Sequence, residues 1–133
     1  MLTICWAAKG GSGTTVFAAA RALSSPRPTL LVDLAGDAST VLGLTGADLP
    51  GVHDWLRSEA APSRLVRLEQ GATSRLSVIA AGAHHPSVDA SGRWVELARH
   101  LRAESRDVIV DAGTGRPPGA LLEVADERLL VTR

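Results

Sequence analysis

The residues best suited to chemistry sit in one N-terminal glycine loop and at two later aspartates. Lys9 is the single lysine among fourteen Lys and Arg residues, and it opens the run Lys9-Gly10-Gly11-Ser12-Gly13-Thr14-Thr15. A compact ammonium acts as a point charge toward phosphate, where a guanidinium acts as a planar fork. Glycines let the backbone curl until several N–H groups face one anion, and a helix starting at the loop's end adds its partial positive charge. Thr15 then places a hydroxyl within reach of a magnesium ion carried by that phosphate. Downstream, Asp33 and Asp111 each end an apolar run. The competing reading is a plain glycine turn with two aspartates that merely end strands, as Asp often does. The lone lysine and the two aspartates together favour phosphate.

These residues need particular elements to hold them. Leu2 to Ala7 is apolar and short enough for a buried strand, and Thr15 to Leu23 is Ala-rich and helix-compatible. Thr29 to Asp33 and Asp107 to Asp111 read as central strands buried on both faces. Leu76 to Ala81 is a further strand closed by Gly82, and Arg128 to Thr132 the last. Between them, Thr40 to Leu44 and Gly51 to Leu56 make short helical turns. Ser63 to Glu69 holds too few apolar residues to fix a face. Ser91 to Glu104 is amphipathic, with Trp94, Leu97, Ala98 and Leu101 on one side, and Pro118 opens a helix to Ala125. Five strands separated by helical crossovers call for a parallel sheet covered on both faces.

The glycine loop resembles the deviant Walker A loop of the ParA/MinD family of P-loop ATPases, written K-G-G-x-G-K-[ST]. Lys9, Gly10, Gly11, Gly13 and Thr15 match, and Ser12 fills the free position. Thr14 stands where the family carries its second lysine. Thr29 to Asp37 resembles the family's D-x-D-x-Q motif, with Asp33 as the first aspartate and Ala35 in place of the second, which positions the attacking water. Arg106 to Gly115 resembles the Walker B strand and switch II.

The resemblance implies an α/β P-loop NTPase domain over residues 1–133, with a mainly parallel sheet in the order 3-2-4-1-5 and helices on both faces. It implies ATP and Mg2+ as ligands. Lys9, Gly10, Gly11, Ser12, Gly13, Thr14 and Thr15 would surround the nucleotide, and Gly115 would offer its N–H to the γ-phosphate. Thr15, Asp33 and Asp111 would hold magnesium, partly through water. Lys9 would reach in trans into the nucleotide of a partner subunit, in a homodimeric sandwich. The implied role is a cytoplasmic ATPase that positions DNA, a division-site complex or a surface assembly, its protein cargo unspecified. The alternative is a non-hydrolysing nucleotide-sensing or structural adaptor resembling the CpaE/TadZ pilus-localisation proteins. Without the second lysine and the second aspartate, turnover is expected to be slow or absent, because phosphoryl transfer rests on positioning and charge.

Composition fits one domain. The chain has 133 residues, 45% of them hydrophobic, and fourteen acidic groups balance fourteen basic ones, so no global charge draws it to nucleic acid or membrane. Arg64, Arg67 and Arg75 offer only a mildly basic patch toward DNA, read as a solvated face. Cys5 falls inside the first strand and reads as a small core residue. His84 and His85 are adjacent and lack a companion ligand cluster, so they read as loop. His53 and Trp55 lie where the family often has a partner-facing helix, with Trp55 read as core. No apolar stretch is long enough to span a bilayer. The last strand runs directly into Arg133, whereas family members continue through further strands. The expectation is a truncated reading frame without the C-terminal part of the family fold.

Overall fold

The computed structural model describes residues 1–11, 13–45, 49–82 and 91–132. Strands β1 (Leu2–Ala7), β2 (Thr29–Asp33), β3 (Glu69–Gly71), β4 (Leu76–Ile79), β5 (Asp107–Thr114) and β6 (Glu127–Leu130) form one sheet in the order β3-β4-β2-β5-β1-β6. All neighbouring pairs are parallel except β3 with β4. With β3 set aside, the other five run third, second, fourth, first, fifth, which is the order the resemblance implies. The sixth strand is a correction to the five expected. Its residues, Glu-Gln-Gly, have no apolar alternation to signal a strand, and it forms as an antiparallel edge paired through Gln70 and Val78. The preceding segment, whose face was undetermined, is a 3₁₀ helix over Pro62–Leu68 that buries Leu65.

Helices α1 (Thr14–Ser24), α2 (Ala38–Val41), α3 (Val52–Arg57), α4 (Ser91–Arg102) and α5 (Gly119–Val124) complete the described chain. Strand residues alternate between two cores with period two. Cys5, Leu31 and Ile109 point to one side, where Ala18 and Ala22 of α1 and Ala38 of α2 pack on them. Ile4, Leu30, Val32, Val108 and Val110 point to the other, against Trp55 of α3, Leu97 and Leu101 of α4, and Leu121 of α5. Alanines at the α1 contact let that helix lie close to the sheet, which brings its first turn to the ends of β1 and β5.

Cys5 is fully buried and Trp55 is 4% exposed, so both are core residues as expected. Burial pushes the Cys5 thiol up to about 11, aided by the nearby Asp111 charge, which leaves it protonated and inert at neutral pH. Trp94 lies on the expected face of α4, packed against the same core as Leu97, Ala98 and Leu101. It is half-buried at the edge of the core, one turn before Leu97. Arg93 holds α4 to α3: its guanidinium lies 3.6 Å over the Trp55 ring, and Nη2 donates to the carbonyls of Trp55 and Ala60 at 2.8 Å each.

Candidate functional site

The site assembles at the C-terminal ends of β1, β2 and β5, where ligands of open α/β sheets bind. Gly13 precedes α1 with φ of 79°, a left-handed conformation that glycine adopts without steric cost, and its carbonyl accepts the first helical bond from Phe17 at 2.9 Å. The amides of the first turn of α1 have no acceptor within the helix and remain available to an anion. One residue into the helix, Thr15 donates its hydroxyl to Oδ2 of Asp111 at 2.6 Å. Oδ1 of the same carboxylate accepts the Gly113 N–H at 3.0 Å.

Asp33 and Asp111 are register partners on the adjacent strands β2 and β5, and both are essentially inaccessible. Desolvation pushes each carboxyl above the ordinary carboxylate value, against the opposing hydrogen bonds, and for Asp111 the Asp33 charge adds to the rise. Their surroundings differ. Asp33 is enclosed by the turn that follows it: Oδ1 accepts the N–H groups of Ala35 and Gly36 at 2.9 Å, and Oδ2 that of Ala38 at 3.0 Å. Three of its roughly four lone-pair sites are thereby used. Asp111 has a hydroxyl and one amide, and its hydroxyl partner is a group that can itself ligate a metal. The donor set of Thr15 and Asp111 fits magnesium, which is usually held through one or two carboxylates plus substrate phosphates. Among the described residues no three His, Cys, Asp or Glu side chains gather around a common point, so a dedicated all-protein metal cage is not present there.

A cavity of about 1320 Å³ opens against the residues that follow these carboxylates, Leu34 and Ala35 after β2 and Ala112 and Gly113 of β5, with neither carboxylate on its wall. One part is walled by the glycine loop and the start of α1, with Gly11, Gly13, Thr14 and Thr15, and by the turns after β2 and β5. A more apolar part lies between Trp94 and Val95 of α4, Pro117 and Pro118, and His53 of α3. Of the residues singled out from sequence, Gly11, Gly13, Thr14 and Thr15 line this space. Gly10 lies beside Thr114, where an added Cβ would stand 3.9 Å from Oγ1. Lys9 is exposed and is not on the described cavity wall. Ser12, His84 and His85 lie outside the described residues.

Gly115, expected to face a γ-phosphate, makes a backbone contact. Its N–H is donated to the Ala7 carbonyl at 2.8 Å, continuing the β1–β5 ladder. Ala35 packs toward the backbone of the turn after β5: a Cβ built on Gly113 would stand 3.0 Å from that of Ala35. Asp37, two residues beyond, lines the cavity. Arg75 sits at the other end of the sheet from the cavity, its Nη1 donating to the Pro26 carbonyl at 3.1 Å.

The place of two residues on the cavity wall escaped the sequence reading. His53, 3% exposed, donates from Nε2 to the Leu34 carbonyl at 2.9 Å and so ties α3 to the turn after β2; its ring meets Trp94 edge to face at 6.4 Å. Arg116 follows the Gly113–Gly115 turn and lines the cavity mouth. A basic residue between a glycine turn and two prolines was the available signal for it.

No family model matches the chain, and no curated protein matches it in sequence. Solved structures do match. A ParA family ATPase from Chlorobium tepidum TLS superposes with a TM-score of 0.72 at 23% identity, over 96% of this chain and 59% of that one. The septum site-determining protein MinD from Pyrococcus horikoshii OT3, complexed with Mg-ADP, gives 0.72 at 21% identity, over 99% and 58%. This chain has the fold of the ParA/MinD-type P-loop ATPases. Cobyrinic acid a,c-diamide synthase from Mycobacterium smegmatis, with bound ADP and magnesium, shares that fold with a TM-score of 0.69 at 23% identity, over 98% and 59%. The chain therefore spans just under three-fifths of the length of each of these ParA/MinD-type structures. No described helix is long and apolar enough to cross a membrane.

Proposed function

We propose that this chain binds a nucleoside triphosphate, ATP, with Mg2+, through the glycine loop and the Thr15–Asp111 pair. The observation that carries this reading is the 2.6 Å contact between Asp111 Oδ2 and Thr15 Oγ1, Thr15 lining a cavity walled in part by that loop. Gly10 to Thr15 supply amides to the phosphate chain, and Thr15 with Asp111 hold the metal. Magnesium, when bound, neutralises the phosphate oxygens. Asp33 acts by holding the turn after β2 in place, with any part in metal binding passing through water. Lys9, exposed beside the loop, completes the nucleotide site of a second copy in a homodimer. The structures of similar fold that carry Mg-ADP, or ADP and magnesium, support this ligand choice.

The second reading concerns hydrolysis. Thr14 and Ala35 stand where the resemblance places a phosphate-neutralising lysine and a water-positioning aspartate. Losing the ammonium removes a charge-assisted bond of roughly 1.5–3 kcal/mol, or about ten- to a hundredfold in affinity. These two residues favour a nucleotide-sensing adaptor over a fast positioning ATPase for chromosomes, division sites or surface assemblies. Calorimetry with ATP and GTP, with and without Mg2+, tests the binding. Heat with Mg-ATP that disappears in Asp111→Ala supports it, and no heat from either nucleotide overturns it. A phosphate-release assay on the same samples separates adaptor from ATPase.

A further inference from the structure

We infer that Arg116 supplies, within the same chain, the positive charge on the phosphate end that Thr14 does not. This rests on the nucleotide reading above and extends it to a residue outside the glycine loop.

The charges around the cavity are unbalanced. Asp37 and Glu123 line it, and Asp33 and Asp111 lie buried at the strand ends beside it. Among the described residues, Arg116 is the one cation on the wall. A triphosphate brings further negative charge into that environment, and one magnesium ion offsets only part of it. Thr14, buried at the first position of α1, offers a hydroxyl and no charge.

Arg116 is uncommitted and its base is held. Other arginines are engaged in the fold: Arg21 with Glu127, Arg27 with Asp107, Arg102 with Asp126, Arg106 with Glu69 and Glu104. Arg116 makes no hydrogen bond or ion pair with any described residue, although Glu123 lines the same cavity. On its N-terminal side the backbone is anchored by the 2.8 Å bond from Gly115 N–H to the Ala7 carbonyl, at the root of the glycine loop. On its C-terminal side Pro117 is buried, and a residue preceding proline is confined to extended backbone. The Gly115 contact thus fixes the stem from which a guanidinium reaches the anion. A fixed stem reduces the ordering cost of that contact, and a planar fork bonds phosphate oxygens in pairs.

The test measures Mg-ATP and Mg-ADP binding to the full chain by calorimetry, in the wild type, Arg116→Ala, Thr14→Lys and the double variant. Arg116 is exposed and unpaired, so Arg116→Ala is expected to keep the wild-type circular dichroism spectrum and melting temperature. Arg116→Ala is expected to weaken ATP by about ten- to a hundredfold, and ADP by less. With Thr14→Lys present, removing Arg116 is expected to cost under about threefold, because a lysine then carries the charge. Wild-type affinity in Arg116→Ala, or the same loss in both backgrounds, overturns the role of Arg116 and leaves the nucleotide reading standing. If the wild type binds neither nucleotide, the nucleotide reading itself fails and this inference with it.

Discussion

The Thr15 hydroxyl donates a 2.6 Å hydrogen bond to Oδ2 of Asp111, joining the first turn of α1 to β5 across 96 residues of sequence. The two oxygens in that contact are those that would share a magnesium ion. Under the proposed reading one carboxylate would serve two states: it anchors α1 when no metal is present and would ligate the metal when nucleotide binds.

That double use has a cost in stability. Desolvation raises the Asp111 carboxyl above its ordinary value of 3.8, with the Thr15 bond opposing and the Asp33 charge adding. The folded chain thus holds this proton to higher pH than the unfolded chain does. Between the two pKa values the folded state binds more protons, and stability falls as pH rises through that window. Asp111→Asn is expected to melt higher than the wild type at pH 7, by about 3–6 °C for each kcal/mol relieved. The gain should vanish below pH 3.8, where the wild-type carboxyl is protonated in both states. Magnesium-ATP should raise the wild-type melting temperature and leave that of Asp111→Asn unchanged. Melting curves across pH, with and without Mg-ATP, check all three outcomes.

Burial also raises the Asp33 carboxyl, and this residue has a further role in shaping the backbone. Its carboxylate accepts three backbone N–H groups, from Ala35, Gly36 and Ala38, which shape the turn after β2 and start α2. Asp33→Ala leaves three amides without acceptors and is expected to destabilise the metal-free protein by about 2–4 kcal/mol. Urea denaturation in EDTA measures this. A variant as stable as the wild type would show that the carboxylate is not what holds the turn.

The buried strands were legible in the chain because parallel strands are written as continuous apolar runs, as in Leu30-Leu31-Val32 and Val108-Ile109-Val110; their order came from the family resemblance alone. The pairing of the glycine loop with Asp111 was legible because spacing and residue type constrain phosphate sites. Three features were not. β3 is polar and three residues long, so its pairing depends on β4 rather than on itself. The hydrogen bond of Gly115 to Ala7 depends on where two strand ends meet, which no local pattern records. Trp94 follows the helical period of α4, yet sits where the helix end leaves the core and meets the cavity.

Gly51 is a further residue whose identity only the packing explains. It precedes α3 with an ordinary negative φ, yet a Cβ there would stand 2.2 Å from the Ala80 carbonyl oxygen and 2.3 Å from the Gly82 nitrogen. The start of α3 presses directly on the chain leaving β4, with Val52 and His53 donating to the carbonyls of Ala80 and Ala81 at 2.8 and 3.0 Å. Gly51→Ala must move backbone, and a loss of about 3 kcal/mol or more is expected. Because α3 carries His53 into the cavity wall, nucleotide binding should weaken in parallel. A fully stable Gly51→Ala would show that the approach relaxes cheaply.

Arg106 binds Glu69 through both terminal nitrogens, at 2.8 and 2.9 Å, and Glu104 through Nε and Nη2 at 3.0 and 3.1 Å. It ties the short edge strand β3 to the approach of β5, and all three side chains are largely shielded. The Arg106 bond is the main reason the Glu104 carboxyl lies below its ordinary value of 4.5. A depressed carboxyl contributes stability above its unfolded pKa and loses it as pH falls through the folded one, the reverse of Asp111. Arg106→Met is expected to cost about 1–2 kcal/mol at pH 7. The gap from the wild type should narrow steadily below pH 4.5, as Glu104 takes up a proton. Urea titrations of both proteins from neutral to acid pH measure it. A gap that stays constant down to about pH 2, well under the ordinary range for Glu, would mean that Arg106 stabilises the fold through its packed methylenes and not through its charge.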